Sequence, residues 1–300
     1  MRRAALATTA LAASFTLVAA PAFAAEPVGY ALTWTSTTLY QLEPGTDAVE
    51  IADTTGVESV TGLDFDADGN GYAVTYNGQP HLWAIDVTGD ATLVGIITDA
   101  GGEVADDCTA LDYTDGVISV ACDDLGTQTN VFGIVDPATA IITPLQELPG
   151  RVSSLAHNPV DDTMYGFDYD GPVYAITVGT ATNVGSTPDD TTFWGADFDS
   201  TGALWVAVND TTIDGTTLLG WDLVAIDADI PDTGEFIENL AVYEAVEAPV
   251  EEEEEPAAAP QLADTGFAEG PSTLVALGGG LALLTGLGLA LVARRAARQQ

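Results

Sequence analysis

No lysine occurs anywhere in the 300 residues, and five of the six arginines sit at the two ends: Arg2, Arg3, Arg294, Arg295 and Arg298. Residues 26–265 therefore carry 45 acidic side chains against a single cation, Arg151. A field of that sign repels nucleic acid and anionic lipid, which makes both poor partners; it favours solubility and attracts cations and basic surfaces. Histidine is almost as scarce. His81 follows Gln79-Pro80 and His157 opens a His-Asn-Pro turn, neither beside a recognisable catalytic partner. The sequence has no Gly-x-Ser-x-Gly elbow, no His-x-x-x-His pair and no phosphate-cradling glycine loop, so it assigns no catalytic residue. A glycosidase needs two carboxylates a few ångströms apart, and 45 acids give no basis for choosing a pair.

What is present at the ends concerns delivery. Residues 1–25 combine Arg2 and Arg3, an apolar stretch from Ala4 to Ala20, Pro21 and the small-residue pattern Ala22-Phe23-Ala24. That is the layout of a secretory signal peptide cut after Ala24 or Ala25, and the apolar run is too short for a bilayer span. At the other end come Leu262-Ala263-Asp264-Thr265-Gly266, an uncharged stretch from Thr273 to Ala293, and the basic terminus. The 21-residue stretch is long enough to cross a membrane as a helix, and the arginines favour a cytoplasmic end. Between them and the folded part, Glu247 to Gln261 is acidic and rich in Pro and Ala, including the run Glu251 to Glu255. Like charges repel and prolines stiffen, so it reads as a disordered stalk spanning at most about 45 Å at ~3.1 Å per residue.

The three C-terminal parts, in that order, resemble the sorting signal of Gram-positive surface proteins, Leu-Pro-x-Thr-Gly followed by a hydrophobic span and positive charges. Ala263 in place of proline resembles the Leu-Ala-x-Thr-Gly variant read by an actinobacterial class of sortase. The resemblance implies a sortase that cuts between Thr265 and Gly266 and joins the Thr265 carboxyl to a peptidoglycan amine. It also implies that this is no pilus shaft subunit, because those are polymerised through a lysine.

The folded part, residues 26–246, repeats. Leu39-Tyr-Gln-Leu42, Leu82-Trp-Ala-Ile85, Val131-Phe-Gly-Ile134, Val173-Tyr-Ala-Ile176 and Leu223-Val-Ala-Ile226 recur at intervals of about 40 to 50 residues. Hairpins precede four of them: Gly62 to Tyr76, Thr109 to Cys122, Ser154 to Tyr169 and Gly195 to Val208. Four short β-prone segments per unit, with Asp-Gly, Asn-Gly or Ser-Thr-Gly corners, predict an all-β fold: a β-propeller of five four-stranded blades. A pair of β-sandwich modules is the competing architecture. The first unit lacks its first strand, since Gly29 to Trp34 already matches the second, and Leu240 to Val246 is the segment placed to complete it.

Cys108 and Cys122 flank a hairpin turning at Thr114-Asp115-Gly116, which places them opposite one another; in an exported chain this predicts a disulfide. Asp64, Asp66, Asp68 and Asn70 alternate oxygen donors before a turn glycine, as in the opening of a calcium loop, but the closing glutamate is missing. Asp197-Phe-Asp199-Ser-Thr-Gly202 stands in the same phase, so a plain turn explains the segment equally; calcium is the one cofactor it suggests. Trp34, Trp83, Trp194, Trp205 and Trp221 lie in or beside strands, where core packing accounts for them more simply than sugar stacking. Together these features predict a cell-wall-anchored extracellular surface protein that binds an unidentified protein or polysaccharide without catalysis. The alternative is a wall-attached hydrolase or lyase working at the propeller channel, which convergent carboxylates joined by His81 or His157 would favour.

Overall fold

The computed structural model describes residues 26–245 except 36, 124–129, 189–190, 209–216, 228 and 231–234. The signal segment, the stalk, the Leu262–Gly266 motif and the apolar stretch 273–293 lie outside the described residues, among which no helix is long and apolar enough to cross a membrane.

The repeats resolve into five four-stranded sheets. The first blade contains β1 (Val28–Leu32), β2 (Thr38–Leu42) and β3 (Val49–Asp53). The second runs β4 (Val60–Phe65), β5 (Asn70–Tyr76), β6 (Pro80–Asp86), β7 (Ala91–Ile96), and the third β8 (Asp107–Thr114), β9 (Val117–Asp123), β10 (Asn130–Val135), β11 (Ile142–Glu147). The fourth is β12 (Val152–Asn158), β13 (Thr163–Asp168), β14 (Pro172–Thr177) and β15 (Thr180–Ser186). The fifth has β16 (Gly195–Phe198), β17 (Leu204–Val208), β18 (Thr217–Leu218) and β19 (Trp221–Asp227), followed by the short hairpin β20 (Asp229–Ile230) and β21 (Glu235–Phe236). The last strand, β22 (Ala241–Tyr243), pairs antiparallel with β1 and supplies the missing innermost strand of the first blade. Innermost strands β22, β4, β8, β12 and β16 neighbour one another in turn, so the architecture is a closed five-bladed propeller.

Each recurring tetrapeptide is the third strand of its blade, where alternation aims two side chains into one inter-blade seam and two into the next. The core is correspondingly divided among the seams. Val74, Leu82 and Ile97 of the second blade meet Ile118, Val120 and Val135 of the third, while Tyr165 and Phe167 of the fourth meet Phe198 and Val206 of the fifth. The disulfide joins Cys108 to Cys122 across β8 and β9, fully buried in the seam between blades two and three. Their pairing has a different origin from simple hairpin symmetry. The turn is Asp115-Gly116, both with positive φ (52° and 80°), which pairs Thr114 with Val117. A bulge between Cys108 and Ala110 then absorbs Thr109 and brings the cysteines opposite.

The fifth blade departs from the expected strand sequence. Its third strand, β19, runs parallel to β17, and the outer strand β18 precedes β19 in the chain instead of following it. The turn Leu219-Gly220, both with positive φ, reverses the chain from β18 into β19. The side-chain period of a strand is the same in either direction, so the Leu223–Ile226 pattern is satisfied by this reversed path.

Many of the acidic residues act locally. At the blade corners, aspartates accept backbone N–H groups two and four residues on: Asp66 from Asp68 and Asn70 (3.0 and 2.9 Å), Asp99 from Gly101 and Glu103 (2.7 and 2.8 Å), Asp199 from Thr201 and Ala203 (2.9 and 3.0 Å). Asp86 and Asp136 make the same contact with Thr88 and Ala138. A carboxylate stabilises such a turn by taking up donors that no strand partner reaches.

Candidate functional site: the channel and its two mouths

Where the innermost strands begin, each of the second, third and fourth blades carries a hydroxyl at its bulge, and that hydroxyl donates to the next blade's backbone. Thr61 donates to the Cys108 carbonyl, Thr109 to Val152 O (2.5 Å) and Ser153 to Phe193 O (2.9 Å). Trp194 stands at the matching place in the fifth blade. In the first, Asn239 takes over, donating to Leu32 O (2.8 Å) and Val60 O (3.3 Å) and accepting from Leu32 N (2.9 Å). Its amide thus continues the β22 ladder by one rung. Except in the first blade, where Leu240 follows Asn239, small residues come next because the strands nearly touch: a Cβ on Gly62 would meet Leu111 N at 2.6 Å, and one on Gly195 would meet Leu240 N at 2.4 Å. The channel here encloses about 10 Å³, on the order of one water molecule.

Three residues further along, the lining turns acidic. Asp64, Asp112 and Asp197 are buried on three innermost strands. Each bridges to the next blade: Asp64 Oδ2 accepts Tyr113 N (2.6 Å), Asp112 Oδ1 accepts His157 N (2.8 Å) and Asp197 Oδ2 accepts Val242 N (2.6 Å). Their remaining oxygens accept Phe65 N, the Thr114 hydroxyl and Phe198 N. Burial pushes all three carboxyls up. Asp112 rises to about 6, its hydrogen bonds and His157 opposing the rise; Asp64 and Asp197 are raised further by neighbouring carboxylates, Asp112 among them. The mouth beyond opens into a depression of about 310 Å³ walled by Phe65, Phe198 and Val242, with Asp66, Asp199 and Glu244 around it.

The opposite mouth holds Arg151, the one Lys or Arg of residues 26–265. Arg151, just before β12, contacts Asp107 Oδ2 through Nη2 (2.8 Å) and Asp123 Oδ2 through Nε (3.1 Å). Its guanidinium lies 4.8 Å from the centre of the Tyr169 ring, which meets Trp194 edge-on at 5.9 Å. Glu238 completes the group; burial and then the charge of Asp107 push its carboxyl up to about 6, with Arg151 opposing.

The expected site residues fall in three places. Asp64 on β4 and Asp66 just after it take separate duties as channel bridge and corner cap, with Asp68 exposed on the turn between β4 and β5 and Asn70 exposed at the start of β5. Asp197 and Asp199 repeat that division in the fifth blade. Among the described residues, no group of three or more His, Cys, Asp or Glu side chains is placed to hold a metal. His81 rests its Nδ1 on Gln79 O (2.9 Å), and His157 points its Nε2 to Asp162 (3.1 Å), offering the channel only its backbone N–H. Trp205 is core, Trp83 and Trp221 pack against core clusters, Trp34 is half-buried, and Trp194 stands at the Arg151 mouth. The sequence marks Arg151 as the lone cation of residues 26–265 but assigns it no site, and it gives no sign of Asp107 or Glu238 beside it.

No family model matches the chain, and no curated protein matches it. Among solved structures it is similar to a chain of a nidogen/laminin complex, at 10% identity over 72% of this chain and 98% of that one, with a TM-score of 0.46. It is also similar to a structural genomics protein of unknown function from Bacteroides thetaiotaomicron (14% identity, 61% of this chain and 60% of that one, TM-score 0.41). A third is TolB from Acinetobacter baumannii, at 11% identity over 60% of this chain and 46% of that one, with a TM-score of 0.42.

Proposed function

We propose that this chain is an exported surface protein, anchored to the cell wall at Thr265 by a sortase, whose propeller binds a protein or polysaccharide and performs no chemistry on it. Anchoring is supported by the order of motif, uncharged stretch and basic terminus. The observation that supports binding over catalysis is the state of the channel acids: each of Asp64, Asp112 and Asp197 has both oxygens engaged by donors of the ring itself. A general acid or base needs a free oxygen within hydrogen-bond reach of a substrate proton. The ligand face is the wider mouth, an apolar depression with an acidic border.

A glycan and matrix-protein array probed with residues 26–246, the span within which the ring closes, tests this. Saturable binding is expected, with loss on replacing exposed Ser200 by Arg at the wider mouth and no change in Tm. Release of soluble sugar fragments from a bound polysaccharide would refute the non-catalytic reading. A hydrolase is favoured by one observation, the near-neutral Glu238 carboxyl beside Asp107, and it would then be abolished by Glu238→Gln.

A further inference from the structure

We infer that the wider mouth receives an arginine or lysine side chain from a basic segment of a different protein, an assignment that rests on this mouth being the ligand face. Phe65, Phe198 and Val242 wall a depression of about 310 Å³, at the small end of the range for ligand pockets. Asp66, Asp199 and Glu244 stand around it. Lysine and arginine lay their methylene stems on apolar surface and hold the charged head among polar groups, which is the order in which wall and border are arranged here.

The border is held in place by the backbone, and two of its carboxylates keep an oxygen for a guest. Asp66 Oδ1 accepts Asp68 N and Asn70 N, and Glu244 Oε1 accepts Ser200 N (2.9 Å). Among the described residues the second oxygen of each accepts no hydrogen bond. Asp199 differs, since its Oδ1 caps the Ser200 turn and its Oδ2 accepts Trp205 Nε1 (3.2 Å); it adds charge alone. Fixed acceptors bind a cationic donor at little cost in side-chain entropy, and hydrogen bonds to a charged partner are the stronger kind.

Charge complementarity selects the partner. A second copy of this chain fails, because Arg151 is the one Lys or Arg of residues 26–265 and lies at the opposite mouth against Asp107 and Asp123. A sugar fits poorly: Phe65 and Phe198 are only 5% and 6% exposed, so neither offers an open ring face for stacking, and an acidic polysaccharide meets like charge. A basic polypeptide segment is drawn in by the same field.

Fluorescence anisotropy of a labelled hexa-arginine peptide, titrated with residues 26–246 at physiological salt, tests the assignment. Saturable binding is expected, with none for hexa-glutamine. Asp66→Asn and Glu244→Gln keep the backbone acceptors and remove one charge each; they should weaken binding by about threefold singly and about tenfold together. Ser200→Arg, at an exposed position, should abolish it. Asp99→Asn removes the same charge from a turn after β7, on the side where β4 begins, and screening over ~8 Å should leave binding unchanged. Hexa-arginine that fails to bind overturns the inference, as does an affinity that Asp99→Asn lowers as much as Asp66→Asn. Saturable binding of uncharged dextran lost with Ser200→Arg would give the mouth to a polysaccharide instead. In either case a ligand from the array that still depends on Ser200 leaves the mouth as the ligand face and removes only the cationic partner, whereas a full set of blanks removes both.

Discussion

A chain ending at Asn239 is expected to lose its cooperative thermal transition, while one ending at Ala245 keeps it. The segment is short, but it closes the ring. β22 is the strand that pairs with β1 on its inner side; Leu240 and Val242 are buried between the first and fifth blades and Ala241 between the first and second. Losing the burial of Leu240 and Val242 alone forfeits about 1.5–3 kcal/mol each. The truncation also strips Asp197 of its Val242 donor, leaving a buried carboxylate half-satisfied. A propeller tolerates no edge at its innermost strand, because every blade leans on two neighbours. Differential scanning calorimetry of the two truncations reads the effect directly; indistinguishable transitions would show that the ring does not depend on its last strand. Asn239→Ala, which removes three hydrogen bonds to Leu32 and Val60, should fall between the two.

The second large effect is a gain. Asp112→Asn should raise the Tm at pH 7.5 and leave it nearly unchanged at pH 4. The folded carboxyl titrates at about 6, above the usual carboxylate value, so the folded state holds its proton more tightly than the unfolded chain. Stability is therefore highest below about pH 4 as far as this group is concerned, and falls as pH rises through the window from about 4 to 6. At neutral pH the charge costs on the order of 3 kcal/mol, which in a domain of this size corresponds to about 6–12 °C. Asparagine keeps the geometry, its oxygen accepting His157 N and its amide donating to the Thr114 hydroxyl. Asp64 and Asp197 are raised by the same cause and add to the sign, so the parent chain should itself gain stability on mild acidification. Asp86 works the other way: burial raises it, but the Thr88 hydroxyl and backbone N–H groups hold it below the usual range, so its contribution is lost in acid. A Tm that falls between pH 7.5 and 5, or an Asp112→Asn variant less stable than its parent at pH 7.5, contradicts the buried-charge account.

Blade number, third strands and the closing strand could all be read in the chain because they depend on alternation and spacing, which a sequence displays directly. Gly29 to Trp34 resembled a second strand, and β1 is one. Direction is invisible to that code, so the parallel β19 could not be foreseen from Leu223 to Ile226. The channel was illegible for another reason. Thr61, Thr109 and Ser153 are ordinary strand residues until a bulge rotates each toward the next blade, and bulges carry no compositional mark. The two aspartates of Asp64-Phe-Asp66 look alike on paper. Only the fold separates the one facing the channel from the one capping a corner.

Anchoring is the part of the account on which its biology depends, and it is tested by mass spectrometry of wall fragments released by muramidase. The expected product is a peptide ending at Thr265 with its carboxyl in amide linkage to a muropeptide, and no residue from Gly266 onward. A mature polypeptide recovered from the membrane fraction with Arg294, Arg295 and Arg298 still attached, and no muropeptide at Thr265, would contradict it.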